Sequence, residues 1–189
     1  MERSLTHIAL FAALIAVLGL VPQITLGAGV PITAQTLGVM LCGTVLGARR
    51  GALAVLLFMA LVAAGLPLLS GGRGGIGVFT QPSAGYFIGF PFAAFVAGWV
   101  MERTTLPVGI AAGAASVIGG IAVLYIFGIS GMAIVLGKTL SEAAMLGMAF
   151  LPGDVIKVVL AGLVTQAIAQ ARPGSLLSRP QTLPVSAFN

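Results

Sequence analysis

The chain has little of what soluble proteins and enzymes are built from. Only 7% of its 189 residues are charged, and it holds four acidic residues, one histidine and one cysteine. A single cysteine excludes an intrachain disulfide, and the position of Cys42 in an apolar run makes it a buried small hydrophobe. The one histidine, His7, lies in the first apolar run, far from Asp154, so neither a metal-ligand set nor a nucleophile with its base is assembled. Catalysis is not expected, and no cofactor or metal is called for. Gly137-Lys138-Thr139 looks like the end of a phosphate-binding loop, but five residues instead of four separate Gly131 from Gly137, and no strand precedes it. ATP-driven work must fall to other chains. Nor does the net charge of +5 make a nucleic-acid surface, because the basic residues stand singly or as one pair between hydrophobic runs.

What is abundant is apolar sequence. With 59% hydrophobic residues and a mean hydropathy of +1.15, the chain has too little polar surface to cover a soluble fold. The expected class is an all-α membrane protein of one domain. Apolar stretches of about 17–25 residues suit a bilayer crossing, and they predict six transmembrane helices: Leu5–Val21, Ile32–Ala48, Gly51–Leu66, Ala84–Met101, Pro107–Phe127 and Pro152–Ala171. The first run follows Arg3 as a signal peptide would, but it is longer than the apolar part of one and lacks a cleavage site. Gly128–Phe150 reads as a glycine-rich loop with a short amphipathic or re-entrant helix, in which Lys138 and Glu142 stand four apart. Residues 1–171 then form the helical domain, and 172–189, rich in Pro and Ser, a disordered cytoplasmic tail. Spacings such as Gly43/Gly47/Gly51, Gly85/Gly89 and Gly109/Gly113 read as close helix packing.

Six crossings leave both termini on one side. That side collects Arg3, Arg49, Arg50, Arg103, Arg172 and Arg179, against Arg73 and Lys138 opposite, so the positive-inside rule puts both termini in the cytoplasm. Rare polar chemistry gathers on the other, outward side. In Leu151-Pro152-Gly153-Asp154-Val155-Ile156-Lys157, a helix starting near Pro152 carries Lys157 roughly 7 Å inward at about 1.5 Å per residue. A cation there costs about 2.5–3.5 kcal/mol unless it finds a partner or a wet cavity. Asp154, three residues earlier, lies on the same face. A self-satisfied structural pair, with Lys157 snorkelling to the interface, is one reading. The helix dipole disfavours a cation near its N-terminus, however, and the same geometry suits an incoming carboxylate.

A second outward loop, Gly71-Gly72-Arg73-Gly74-Gly75, surrounds one arginine with four glycines, as a lid or close-approach wall would need, or a flexible connector. It runs on to Gln81, Ser83 and Tyr86 beside Phe79 and Phe87, a mixture suited to a ring with amide-like edges. The first loop, Thr25 to Gln35, adds Thr33 and Gln35. Ligand-binding candidates are therefore Asp154, Lys157, Tyr86, Gln81, Arg73, Phe79 and Gln35, around a pocket in the outer half.

Three segments carry a family resemblance. Pro31-Ile32-Thr33-Ala34-Gln35-Thr36-Leu37, the Gly71–Gly75 loop running into Gln81-Pro82-Ser83-Ala84-Gly85-Tyr86, and Leu151 to Lys157, in this order and spacing, look like BioY, the biotin-specific substrate-binding (S) component of energy-coupling factor transporters. The likeness extends from the first helix to about Ala171. It implies a six-helix, multi-pass protein of the bacterial cell (inner) membrane that captures biotin from outside and works with a transmembrane coupling (T) protein and two cytoplasmic ATPases. It also implies that Asp154 and Lys157 contact the vitamin, that Gln81 or Arg73 supplies a further polar contact, and that an Ala-x-x-x-Ala face of the first helix docks on the coupling protein. Ala9/Ala13 and Ala12/Ala16 both fit that spacing. Asp154 as acceptor for the ureido N–H groups, with Lys157 or Arg73 on the carboxylate, is one ligand orientation; the reverse, with Lys157 on the ureido carbonyl, is the other. Beside this stand an S component for another small vitamin or its precursor and a structural or regulatory subunit without a ligand; an intramembrane enzyme is more distant.

Overall fold

The computed structural model describes residues 2–25 and 30–179. Its helices are α1 (Glu2–Leu18), α2 (Gln35–Leu46), α3 (Ala48–Ala63), α4 (Ala84–Arg103), α5 (Val108–Ser116), α6 (Leu124–Leu136), α7 (Leu140–Met148) and α8 (Leu151–Ala171). One small departure from an all-helical chain is the antiparallel ladder β1 (Ile24–Thr25) and β2 (Pro31–Ile32), with Ile24 opposite Ile32. It closes the first connection, whose residues 26–29 lie outside the described residues.

Helix α4 is the central post, packed against α2, α3 and α6, while α8 lies against α5 and α2, and α1 against α3 and α2. Small residues set these distances. Gly43 of α2 faces the Ala94 carbonyl and Ala97 of α4, so an added Cβ would stand 2.5 Å from that oxygen. Gly85 of α4 meets Gly131 of α6, where a Cβ on Gly85 would stand 2.8 Å from the facing Cα. Such contacts are how helices associate where burying apolar surface gives no advantage over lipid. The outer surface stays apolar, with Leu53, Ile110, Ile126 and Leu163 all more than half exposed. Three helical runs are long and apolar enough to cross a membrane, Ala84–Arg103, Val108–Leu136 and Leu151–Ala171; α1 and α2 are apolar but shorter.

Two sequence expectations are corrected. The fifth helix does not stop at Phe127: α5, a π-helical stretch Val117–Val123 and α6 form one continuous run to Leu136. Gly128 and Gly131, which suggest a loop in isolation, are helical, and their missing side chains leave room for the Tyr86 ring and Gly85. After Gly137, Thr139 starts α7 with a capping box in which its hydroxyl accepts from the Glu142 N–H and the Glu142 carboxylate accepts from the Thr139 N–H. Glu142 thus caps a helix instead of serving Lys138 foremost.

The second correction concerns the tail. Arg172 to Arg179 is packed, with a 3-10 turn at Pro173–Ser175 and Leu176 buried. Ser178 donates from its N–H to the Val45 carbonyl (2.9 Å) and from Oγ to the Thr44 carbonyl (2.5 Å). Arg179 donates to the carbonyls of Met101, Leu106 and Thr104, satisfying acceptors at the C-terminus of α4. The rest of the expected tail, 180–189, lies outside the described residues. Arg50 Nε donates to Ser4 Oγ (3.0 Å), so the chain start, the α2–α3 turn, the α4–α5 turn and this segment share one end of the bundle. Gly47, at φ +86°, makes that α2–α3 turn by itself, and the Glu102 carboxylate fills the space a side chain would need.

Candidate functional site

The site grows from the first turns of α8. Pro152 stands where a helix needs no N–H, and Asp154 follows in the first turn, where the dipole favours an anion. Lys157 Nζ donates to Asp154 Oδ1 at 2.9 Å, and the two side chains are only 12% and 7% exposed. The pair is not closed on itself. Tyr125 donates its hydroxyl to Asp154 Oδ2 (2.8 Å), and Lys157 also donates to Thr36 Oγ1 (2.9 Å). Among the described residues, each carboxylate oxygen therefore has one donor, and the ammonium keeps one of its three N–H groups unspent. Lys157 does not snorkel. Its anchorage to α2 and that of Asp154 to α6 lock three helices around one neutral, dipolar centre.

That centre lines a cavity with about 600 Å³ of space between its atoms, part of it open to solvent. Apolar walls come from Phe87, Phe90, Leu124, Phe150 and Ile32, and polar atoms from Thr33, Thr36, Ser83 and Arg73. Tyr86 stands edge-on to both Tyr125 (6.1 Å) and Phe150 (6.0 Å), so the chain's two tyrosines flank the Asp154 carboxylate. The Tyr86 hydroxyl is buried and has no hydrogen-bond partner among the described residues.

The glycine loop delivers Arg73 to the same cavity. Gly71, Gly72 and Gly75 all take positive φ, between 70° and 79°, which lets the loop fold back so that the Leu69 N–H meets the Arg73 carbonyl (3.0 Å). Arg73 Nε donates to the Ser70 carbonyl, and Nη1 to Gln81 Oε1 (2.6 Å) and Ser83 Oγ (3.2 Å). Every one of these acceptors is neutral. Partial burial pulls its pKa below the ordinary arginine value, yet the guanidinium stays charged at any neutral pH. Arg73 is thus a fixed cation without a countercharge, with Nη2 unspent among the described residues.

The sequence candidates separate on these contacts. Asp154, Lys157, Tyr86, Arg73 and Gln35 line the cavity. The Gln35 amide, however, is committed elsewhere: Nε2 donates to the Ile15 and Leu68 carbonyls and Oε1 accepts from the Ser70 N–H, which ties α2 to the end of α1 and to the glycine loop. Gln81 stands one step back, holding Arg73, and Phe79 backs Phe87 at 5.4 Å. Tyr125, Thr36, Phe90, Leu124 and Phe150 join the site without having been singled out. The rarity of tyrosine in this chain was the one available signal for Tyr125.

A flat, mostly apolar molecule fits such walls, with a neutral dipolar group at Asp154–Lys157 and an anionic group at Arg73. Among the described residues no cluster of histidine, cysteine or acidic side chains is fit to hold a metal. A helical membrane bundle enclosing a cavity with a buried polar floor defines a small-ligand-binding membrane protein. The chain belongs to the BioY family, whose model matches residues 2–174. It is 55% identical to the biotin transporter BioY of Rhodobacter capsulatus over 95% of this chain and 100% of the relative, and 52% identical to that of Rhizobium etli over 90% and 95%. Among solved structures it is similar to the S-component for biotin from an ECF-type ABC transporter, with a TM-score of 0.84 and 31% identity over 89% of this chain and 92% of that one.

Proposed function

We propose that this chain is the S component of a biotin uptake system, a binding subunit and not an enzyme. It captures biotin from outside the bacterial cell (inner) membrane and works with a T protein and two cytoplasmic ATPases. The observation that carries the reading is the pairing of a charge-neutral Asp154–Lys157 centre with an uncompensated Arg73 across one aromatic-walled cavity. Biotin has matching parts. Its ureido ring is neutral and dipolar, and offers one N–H to Asp154 beside a carbonyl for the spare Lys157 N–H. The thiophane ring and the chain methylenes suit the aromatic walls. The valerate carboxylate suits Arg73, whose planar fork matches it in two parallel hydrogen bonds. Charge balance favours a pose that joins parts of both orientations left open by the residues alone: the ureido ring meets Asp154 and the spare Lys157 N–H together, and the carboxylate goes to Arg73.

The same reading places six helical crossings in the membrane, both termini in the cytoplasm and the cavity on the outer side. Its support is the shared end of the chain start, the α2–α3 and α4–α5 turns and the post-α8 segment, where most of the arginines gather. For the T protein, Ala9 and Ala13 are the available register, since both are exposed while Ala12 is 3% exposed and Ala16 half-buried.

A binding isotherm of the purified protein with biotin, its methyl ester and its amide tests the assignment. Tight binding of biotin with clear weakening for both derivatives is expected. Failure to bind biotin while another vitamin binds would redirect the reading within transport. In a Cys42-free background, Ile76→Cys should react with an impermeant thiol reagent from outside and Arg50→Cys should not; the reverse would overturn the orientation.

A further inference from the structure

At the end of the bundle opposite the cavity, an open groove runs between α4 and the start of α3. Arg49, Arg50 and Arg103, all exposed, line it together with Phe95, Trp99 and Glu102. The charge there is unbalanced. Glu102 is the one acidic residue of the lining, and its Oε1 accepts from the Ala48 N–H (2.8 Å). Arg103 lies over the Trp99 ring at 4.4 Å, and among the described residues Arg50 spends only Nε, on Ser4. Arg49 has no partner among the described residues. Among the described residues, three cations therefore share one carboxylate.

The groove opens onto a stripe of α4. Ile88, Phe92, Phe95 and Trp99 are each between 42% and 51% exposed, and their spacing of four, three and four residues keeps them on one helix face, which Arg103 extends. From Phe92 to Arg103 the rise is about 16 Å, roughly half the thickness of a bilayer's hydrocarbon core. The polarity along this line goes from apolar to indole to guanidinium. That is the order a phospholipid presents from chain to interface to phosphate.

From this gradient and the unbalanced charge we infer that the groove is a binding site for the headgroup of an anionic phospholipid. Arg49, Arg50 and Arg103 hold its phosphate, and one acyl chain lies along Trp99, Phe95 and Phe92. The inference rests on the proposed orientation, which puts this end at the cytoplasmic interface.

Trp99 is the chain's only tryptophan, so its fluorescence reports this site alone. The full protein is reconstituted into vesicles in which either phosphatidylglycerol or phosphatidylcholine is brominated near the headgroup, at equal mole fraction. Since a basic residue near an anionic surface is worth about a fivefold preference, quenching should report at least about fivefold enrichment of phosphatidylglycerol beside Trp99. The preference should fall to near unity in Arg49→Gln/Arg50→Gln/Arg103→Gln. Each protein is read as a ratio between two lipids, so the loss of the Arg103–Trp99 contact cancels. Biotin binding by the triple variant serves as the check of folding, because none of the three residues lines the cavity; if that variant does not fold, Arg49→Gln alone should lower the preference severalfold. Equal quenching by the two lipids overturns the site, as does a preference that survives the substitutions. Inorganic phosphate abolishing the preference at constant ionic strength would assign the groove to a soluble anion instead. No quenching by either lipid would also overturn the site, and with the thiol labelling intact it would point to a protein partner covering the groove.

Discussion

The two ends of this bundle use charge in opposite ways. At the cavity end, Asp154 and Lys157 are buried, paired and hydrogen-bonded to residues of two other helices, and Arg73 is held by neutral acceptors with part of its fork free. At the other end, arginines stay exposed or close off backbone carbonyls, as Arg179 does at the end of α4. Buried charge is costly wherever it is kept, and under the proposed function a bound ligand offsets that cost here. Exposed arginines cost little; Arg179 caps carbonyls, and in the readings proposed above the others set orientation and meet lipid. A shared composition thus supports a preorganised site at one end and a fastened, positively charged rim at the other.

The largest effect should come from unbalancing the buried centre. Lys157→Ala and Asp154→Ala each leave one charge unpaired, and each should weaken biotin binding by about 2 kcal/mol or more in titration calorimetry. The double substitution Asp154→Asn with Lys157→Met removes both charges and should fold while failing to bind. Near wild-type affinity in that folded double variant would reduce the pair to packing and leave Arg73 as the principal contact.

Next comes the distinction between the two alanine registers of α1. Ala12→Trp forces a large ring into a filled position and should destabilise the bundle by about 1–3 kcal/mol. Ala9→Trp, on the exposed face, should leave biotin affinity and melting temperature unchanged yet weaken co-purification with the T protein. If Ala9→Trp assembles normally, the docking face lies elsewhere.

A smaller effect is expected at the fastened end. Arg179→Ala frees three carbonyls at the α4–α5 turn and should lower stability by about 1 kcal/mol, with biotin affinity unchanged. A loss of affinity would show that the two ends are coupled and break the contrast drawn here.

The smallest effect is local to α7. Hydrogen bonds from the Thr139 side chain and N–H hold the Glu142 pKa below the ordinary glutamate value, with a lesser contribution from Lys138. A depressed carboxylate pKa stabilises the cap above the unfolded value, and this is lost as pH falls through the depressed one. Amide exchange in the first turn of α7, corrected for its intrinsic rate, should therefore accelerate on acidification. In Glu142→Gln that pH dependence should vanish.

Much of this was legible in the residues. An apolar chain with few charges must satisfy its backbone groups within the lipid as helices or a closed barrel, and its apolar runs of about 17–25 residues choose helices. The Asp154–Lys157 spacing of three residues on one helix makes their contact a local matter, and the glycines around Arg73 announce an unusual loop. The class of structure, the polar pair and the uneven distribution of arginine are therefore properties of the sequence. Other features depend on distant partners. Gln35 and Gln81 look alike as polar candidates, but only the fold shows that one ties three segments together and the other steadies Arg73. Tyr125 reaches Asp154 across 29 positions, and Gly128 sits in a helix where the Tyr86 ring leaves no room for a side chain. Which alanines of α1 face outward was decided by the packing of α2 and α3 against it, and the order of residues 172–179 by carbonyls on α2 and α4. Periodicity and spacing encode contacts within one helix; contacts between helices are settled only when the close packing of the whole bundle selects which faces meet.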